Sequence, residues 1–506
     1  MDASGLSPQP LPDFKNFLWQ LPEGQIFAPE MLELGAAVYG LHDGQKAWVA
    51  ARAAQDRQLL VIANTEKDAE RLGRDMTMLL GQDIRLLPGA TPTLKAVESQ
   101  NRLVAGQRID ALLHLLQGGS VVATVEALQA TLCPPRALEE AVISLHVGQV
   151  IPPETLVEAL LRAGYLPEAA AESAGQFCRR AGILDCMEAG GSFGLRVEFF
   201  DDEIDSLRLY DPATQRTIEM VQTYTLRPAT LCPMDAPTAQ QGLTHILEDF
   251  KKQYRSLCRQ QERQTTEADI LPWEEDADAH AAAAFAADAP ERLRLRAEGL
   301  VPMESGMIGT LGEDFLPYFY EPATIADYLS PQVLVIFDEP IALRTMAEHI
   351  DADYAELCAQ ALENGDTLPL AARMMLPAEE LFAQLCQPAW ITLMTVPHHL
   401  EAWRPEAMVN LQSQPALHYF GRMDVMLADI LRWRSDHAVA IFTGTPARAK
   451  ELQGQLLDEG VSAWCGVPDR APELGEVVLI PHSLSTGFVC EDWKLAVLTH
   501  NDWLGT

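Results

Sequence analysis

Apolar residues are set along this chain in two alternating rhythms. From about residue 46, short unbroken runs give way to longer stretches of helical spacing, as in an α/β unit. Leu59-Leu60-Val61-Ile62-Ala63 is unbroken, the mark of a strand buried on both faces of a parallel sheet. Asn64 and Thr65 follow with side-chain oxygens that cap a helix. The spacing predicts that helix through about Leu80, a strand at Ile84-Arg85-Leu86-Leu87 and a helix over Gln100 to Leu116. A third strand, Val121-Val122-Ala123-Thr124, runs into Val125-Glu126-Ala127-Leu128. This is a RecA-like pattern, and one that any doubly wound fold shares.

The texture changes near Pro134. A short helix over Glu154 to Ala163 ends at Gly164, where a left-handed cap fits. Ile183-Leu184-Asp185-Cys186, Leu195 to Phe200 and Ile204 to Tyr210 then follow too closely for helical crossovers, so they predict a small antiparallel sheet inserted into the first fold. After about Tyr210 helical text is expected again. The acidic, alanine-rich stretch Trp273 to Ala287 reads as a surface helix or a linker, with the helix favoured. Val333-Leu334-Val335-Ile336-Phe337 is another buried run, and a last α/β unit is expected from about residue 400. Its strands fall at Ala438 to Phe442, Val477 to Ile480 and Leu495 to Leu498.

Composition narrows the classes. A chain of 506 residues exceeds one hydrophobic core, so several domains are expected. The formal net charge of −35 opposes a broad nucleic-acid surface and turns attention to protein partners. Nine cysteines stand without a CxxC pair, as reduced thiols of a cytoplasmic protein would. The opening MDASGLSPQPLPDF lacks a signal pattern and no long apolar run occurs, so no membrane association is expected.

Two motifs suggest nucleotide chemistry. Gly40-Leu41-His42-Asp43-Gly44-Gln45-Lys46-Ala47 matches a phosphate-binding loop with two faults: Gln45 replaces the second glycine, and Ala47 replaces the hydroxyl that binds magnesium. Those faults are decisive, and on its own the segment reads as an ordinary loop. Asp338-Glu339 after an apolar strand resembles the metal-holding pair of the same folds, although acids at strand ends also serve as caps. Together they describe a decayed nucleotide site at Gly40, Gly44, Lys46, Asp338 and Glu339. Thr443-Gly444-Thr445-Pro446 is either an anion loop or a plain strand-to-helix turn.

A different signal lies in the small sheet. Along Leu195 to Phe200, strand alternation puts Leu195, Val197 and Phe199 on one face and Arg196, Glu198 and Phe200 on the other. Arginine beside an exposed aromatic is interface composition. The alternative is that Phe200 packs inward and Arg196 pairs with a neighbouring carboxylate.

The runs RRAGILD and LRVEFFDDEIDSLRLYDPATQRT, ending at Thr217, resemble the second domain of the transcription-repair coupling factors and, more distantly, of the repair protein UvrB. LLVIANTEKDAERL, VLVIFDEP and LAVLTHNDWLG extend the resemblance. It implies a degenerate RecA-like, P-loop NTPase-type fold formed by domain 1a (1–134) and domain 1b (212–398). A small α+β domain 2 (135–211) is inserted in that fold, and a separate small α/β domain 3 (399–506) follows. It implies that domain 2 binds UvrA through residues matching Arg180, Arg196 and Phe200. No catalytic residue, metal or cofactor is expected in this stretch. In the longer family protein, ATP and magnesium serve a translocase, and RNA polymerase and double-stranded DNA are met by other domains. The segment Leu87 to Gln100 is short and lacks the aromatic residues of the UvrB hairpin, which separates the chain from UvrB. The rival expectations are a UvrB-like damage-binding subunit and a residual NTPase.

Overall fold

A computed structural model describes residues 14, 29–54, 56–89, 102–191, 193–268, 288–298, 313, 315–370, 373–398, 403–467, 470 and 472–504. The opening segment apart from Phe14, most of Leu87 to Gln100, and Trp273 to Ala287 with its expected helix lie outside them. Strands β1 (Ala36–Tyr39), β2 (Leu59–Ala63), β3 (Ile84–Leu87) and β4 (Ser120–Thr124) alternate with helices Asp43–Ala54, Glu66–Leu80 and Arg102–Leu116. Thr65 caps the second helix by accepting from the Asp68 amide, and left-handed Gly81 ends it.

Eight strands of the inserted unit follow: β5 (Ile143–His146), β6 (Leu166–Pro167), β7 (Gln176–Arg180), β8 (Ile183–Met187), β9 (Gly194–Phe200), β10 (Glu203–Tyr210), β11 (Thr217–Val221) and β12 (Thr223–Leu226). Six form a sheet in the order β11-β10-β9-β8-β7-β6, and β12 pairs with β5. Helical text does not return at Tyr210. Two more strands intervene, and the next long helix, Ala236–Ala268, begins later. The reason is that β11 is an exposed edge strand with little apolar signal to set it apart.

Strands β13 (Leu334–Asp338), β14 (Ala389–Leu393) and β15 (Ala407–Asn410) complete the first fold. The resulting sheet is β15-β1-β14-β13-β2-β4-β3, parallel throughout. It is buried on both faces: Leu60 and Ile62 enter one core, and Leu59, Val61 and Ala63 the other.

The last unit has its own sheet, β16 (Ser413–Pro415), β17 (Ala438–Phe442), β18 (Trp464–Cys465), β19 (Val477–Ile480), β20 (Phe488–Cys490) and β21 (Leu495–Thr499). Their order is β16-β20-β21-β17-β19-β18. Its sheet is separate, and one face has a core of its own around Met426, Ile430, Val439 and Leu452, but the other face shares a core with the first fold. Phe442, Ile480, Phe488 and Trp493 join helix Asp43–Ala54 in one apolar cluster, with Trp48 edge-on to Phe442 at 6.2 Å and to Phe488 at 5.6 Å. The nine cysteines are free thiols, buried or half-buried. Among the described residues no helix is long and apolar enough to cross a membrane.

Candidate functional site

The outer face of the six-stranded sheet carries the residues singled out on strand parity. Leu195 and Val197 are buried and Phe199 is packed against the small domain's core, while Phe200 is 73% exposed. Arg196 lies on the outer face but not as a free charge. Its guanidinium meets Asp185 on two bonds, Nε to Oδ1 at 2.7 Å and Nη2 to Oδ2 at 2.9 Å, donates to Gln215 at 3.1 Å, and stacks 5.0 Å over the Tyr210 ring. The pairing follows from register, since Asp185 of β8 stands opposite Arg196 of β9. Arg180 ends β7, exposed, donating to the Ala169 carbonyl at 2.6 Å. Its neighbour Arg179 pairs with Glu154 at 2.6 Å.

The sheet is seated firmly on the first fold. Arg227 bonds Glu188 at 2.9 Å and also Asp110 on helix Arg102–Leu116. A Cβ at Gly106 of that helix would lie 2.6 Å from the Ala189 backbone, so only glycine allows the approach. Arg102 donates to the Ala174 carbonyl at 2.8 Å across the same junction.

The structure also brings the nucleotide-motif residues together. Lys46 Nζ lies 2.7 Å from Asp338 Oδ1 and 2.8 Å from Glu339 Oε1. The same Glu339 oxygen accepts from the Thr395 amide at 2.8 Å and its hydroxyl at 2.7 Å. Burial opposes charge on Lys46, but the two carboxylates outweigh it and raise its pKa. Burial likewise opposes charge on Glu339, and the bonds from Lys46 and Thr395 outweigh it and lower its pKa. Glu339 sits in the left-handed region, φ 54°, at the start of helix Pro340–Glu363.

The turn and the first residues of the helix before Lys46 are covered. A Cβ on Gly40 would fall 2.3 Å from the Leu411 carbonyl oxygen, and one on Gly44 2.2 Å from that of Thr486. Gln45 is fully buried. Every residue from Gly44 to Ala54 is buried, one side of the helix against its own sheet and the other against the last unit. Asp75 fastens the same contact by accepting from the Ser485 amide at 3.0 Å and from the Ser485 hydroxyl. Thr443-Gly444-Thr445-Pro446 is a helix start, with Thr445 capping the Arg448 amide.

Sequence reasoning passed over Ile183. Opposite Arg180 on β7 and Glu198 on β9, it faces outward and is 39% exposed. The parity that assigned Arg196 and Phe200 would have found it, had it been applied to β8.

A family model described as the UvrB interaction domain matches residues 143–231. Those limits fall close to the Ile143 and Leu226 pair that closes the small unit. The chain is 24% identical over 94% of its length to the transcription-repair-coupling factor of Bacillus subtilis strain 168, covering 40% of that protein. To those of Staphylococcus aureus MRSA252 and Staphylococcus epidermidis ATCC 35984 it is 22% and 21% identical over 92% and 93% of its length, covering 38% of each. The chain spans about two fifths of the length of these relatives. Similarity to the transcription-repair-coupling factors thus runs along nearly the whole chain, on a parallel seven-stranded sheet with the matched interaction domain inserted in it.

Proposed function

We propose that this chain is a non-catalytic adaptor that recruits UvrA through Arg180, Arg196 and Phe200, bringing excision repair to stalled RNA polymerase in the cytoplasm. The observation that carries this reading is Phe200, a large aromatic 73% exposed on a sheet face that also bears Arg180 and Arg196. The junction on Arg227 and Gly106 supplies the rigid frame that such a surface needs. Contacts with polymerase and double-stranded DNA, and ATP-driven translocation, belong in this reading to other parts of the longer family proteins. No cofactor or metal is required here. Capture of UvrA by the 506-residue chain tests the proposal. Phe200→Ala, Arg180→Ala and Arg196→Ala are each expected to lose capture with an unchanged melting temperature; capture by all three contradicts it.

A residual NTPase is the second reading, favoured by the convergence of Lys46, Asp338 and Glu339. Against it, the lysine that would reach phosphate already spends its charge on two carboxylates. Incubation with ATP and magnesium is expected to give no turnover that Lys46→Ala removes.

A further inference from the structure

The outer face of the small sheet changes character from one end to the other. At the far end, Cys178, Met187 and Tyr210 form a buried cluster with Ala171. One row along, Arg196 is paired with Asp185. In the next row the Glu198 carboxylate is taken by Arg208 at 2.5 Å and by Ser206 at 2.7 Å. Ile183, opposite Glu198, and Phe200, one alternate position beyond it, are apolar side chains left open at this end, apart from Ile218 and Met220 on the edge strand β11. A diagonal relation across neighbouring strands puts such side chains within reach of a common ligand.

Both belong to hairpin ends on the same edge. The turn Ala181-Gly182 joins Arg180 to Ile183, and the turn Asp201-Asp202 joins Phe200 to Glu203. Ala181 and Asp201 each take φ 52°, a left-handed conformation that non-glycine residues adopt at a cost. Such strain concentrates where surrounding structure fixes a working surface.

Charge separates the two arginines. Arg196 is matched by a bidentate carboxylate and offers a partner little net charge. Arg180 makes no ion pair among the described residues, its guanidinium resting on a backbone carbonyl. On the other tip, Asp201 and Asp202 are exposed.

Resting on the docking reading above, we propose that the contact centres on these two tips, with Ile183 as a second apolar anchor beside Phe200. Arg180 supplies the uncompensated cation, and Arg196 is a positioning residue that holds β8 against β9. The matching surface on UvrA is an apolar recess with a carboxylate facing Arg180 and a basic group facing Asp201 and Asp202.

The test is the affinity of purified UvrA for the full chain carrying Ile183→Thr, which keeps the branched shape and removes the apolar tip. Binding is expected to weaken about tenfold or more, with the melting temperature unchanged. Ile183→Lys, measured beside it, is expected to weaken binding at least as much and serves if threonine unsettles the turn. Ile218→Thr, on the equally exposed edge strand β11, is the control and is expected to bind as the parent. Parent-like binding by both Ile183 variants while Phe200→Ala loses it overturns this inference and leaves the docking reading intact. Equal weakening by Ile218→Thr overturns the central place of the tips. Parent-like binding by Phe200→Ala overturns the docking reading itself.

Discussion

The helix start at Lys46 and the sheet face at Arg196 hold the same kinds of side chain, cations within bonding distance of acids, yet they stand in opposite surroundings. Lys46 and Asp338 are buried, and the helix that carries Lys46 is covered by the last unit. Arg196 and Asp185 are half open to solvent, with a bare phenylalanine on the same strand. In the first setting desolvation makes each charge depend on its partner. In the second, pairing costs little and leaves the apolar neighbour to carry binding energy. The difference teaches that a motif is judged by what covers it as much as by its residues.

The comparison can be broken most forcefully at Lys46. Lys46→Met leaves Asp338 buried without its cation, and a loss of about 3–5 kcal/mol in denaturant-measured stability is expected. A loss near zero would mean that the site is open to water. Next comes Trp48, clamped between two sheets: Trp48→Ala is expected to cost about 3–5 kcal/mol and to loosen the last unit, read as faster amide exchange in β17 and β20.

Asp75 sharpens the same contact through pH. Burial pushes its pKa up to about 6, against bonds from Ser485 that pull it down. The folded state therefore holds the proton more tightly than the unfolded chain. This group's contribution to stability is present below the ordinary aspartate value near 4 and is lost as pH rises to about 6. The loss is on the order of 2–3 kcal/mol, and Asp75→Asn is expected to flatten that decline in melting temperature. The smallest effect belongs to Arg179, which is held by Glu154. Arg179→Ala is expected to change UvrA affinity by no more than about twofold, in contrast to Arg180→Ala.

Much of the fold was legible where one physical signal dominated. Leu59–Ala63 and Leu334–Asp338 are strands buried on both faces, and their unbroken apolar runs announce it. Ala36–Tyr39 and Ala407–Asn410 were not found, being four-residue strands whose identity comes from pairing with each other across the chain. The helix at Lys46 hid its double burial because Gly44, Gln45 and a row of alanines fill both sides, leaving no amphipathic stripe. Local alternation placed Arg196 and Phe200 on one face. It could not reveal that Asp185 neutralises Arg196, since that depends on the register between β8 and β9.

The two surroundings are separated most directly by measuring UvrA affinity for Phe200→Ala and Lys46→Met side by side, at a temperature where both remain folded. The account predicts that Phe200→Ala weakens binding by about 2 kcal/mol or more while Lys46→Met, though less stable, binds as the parent does. Undiminished affinity in Phe200→Ala would contradict it.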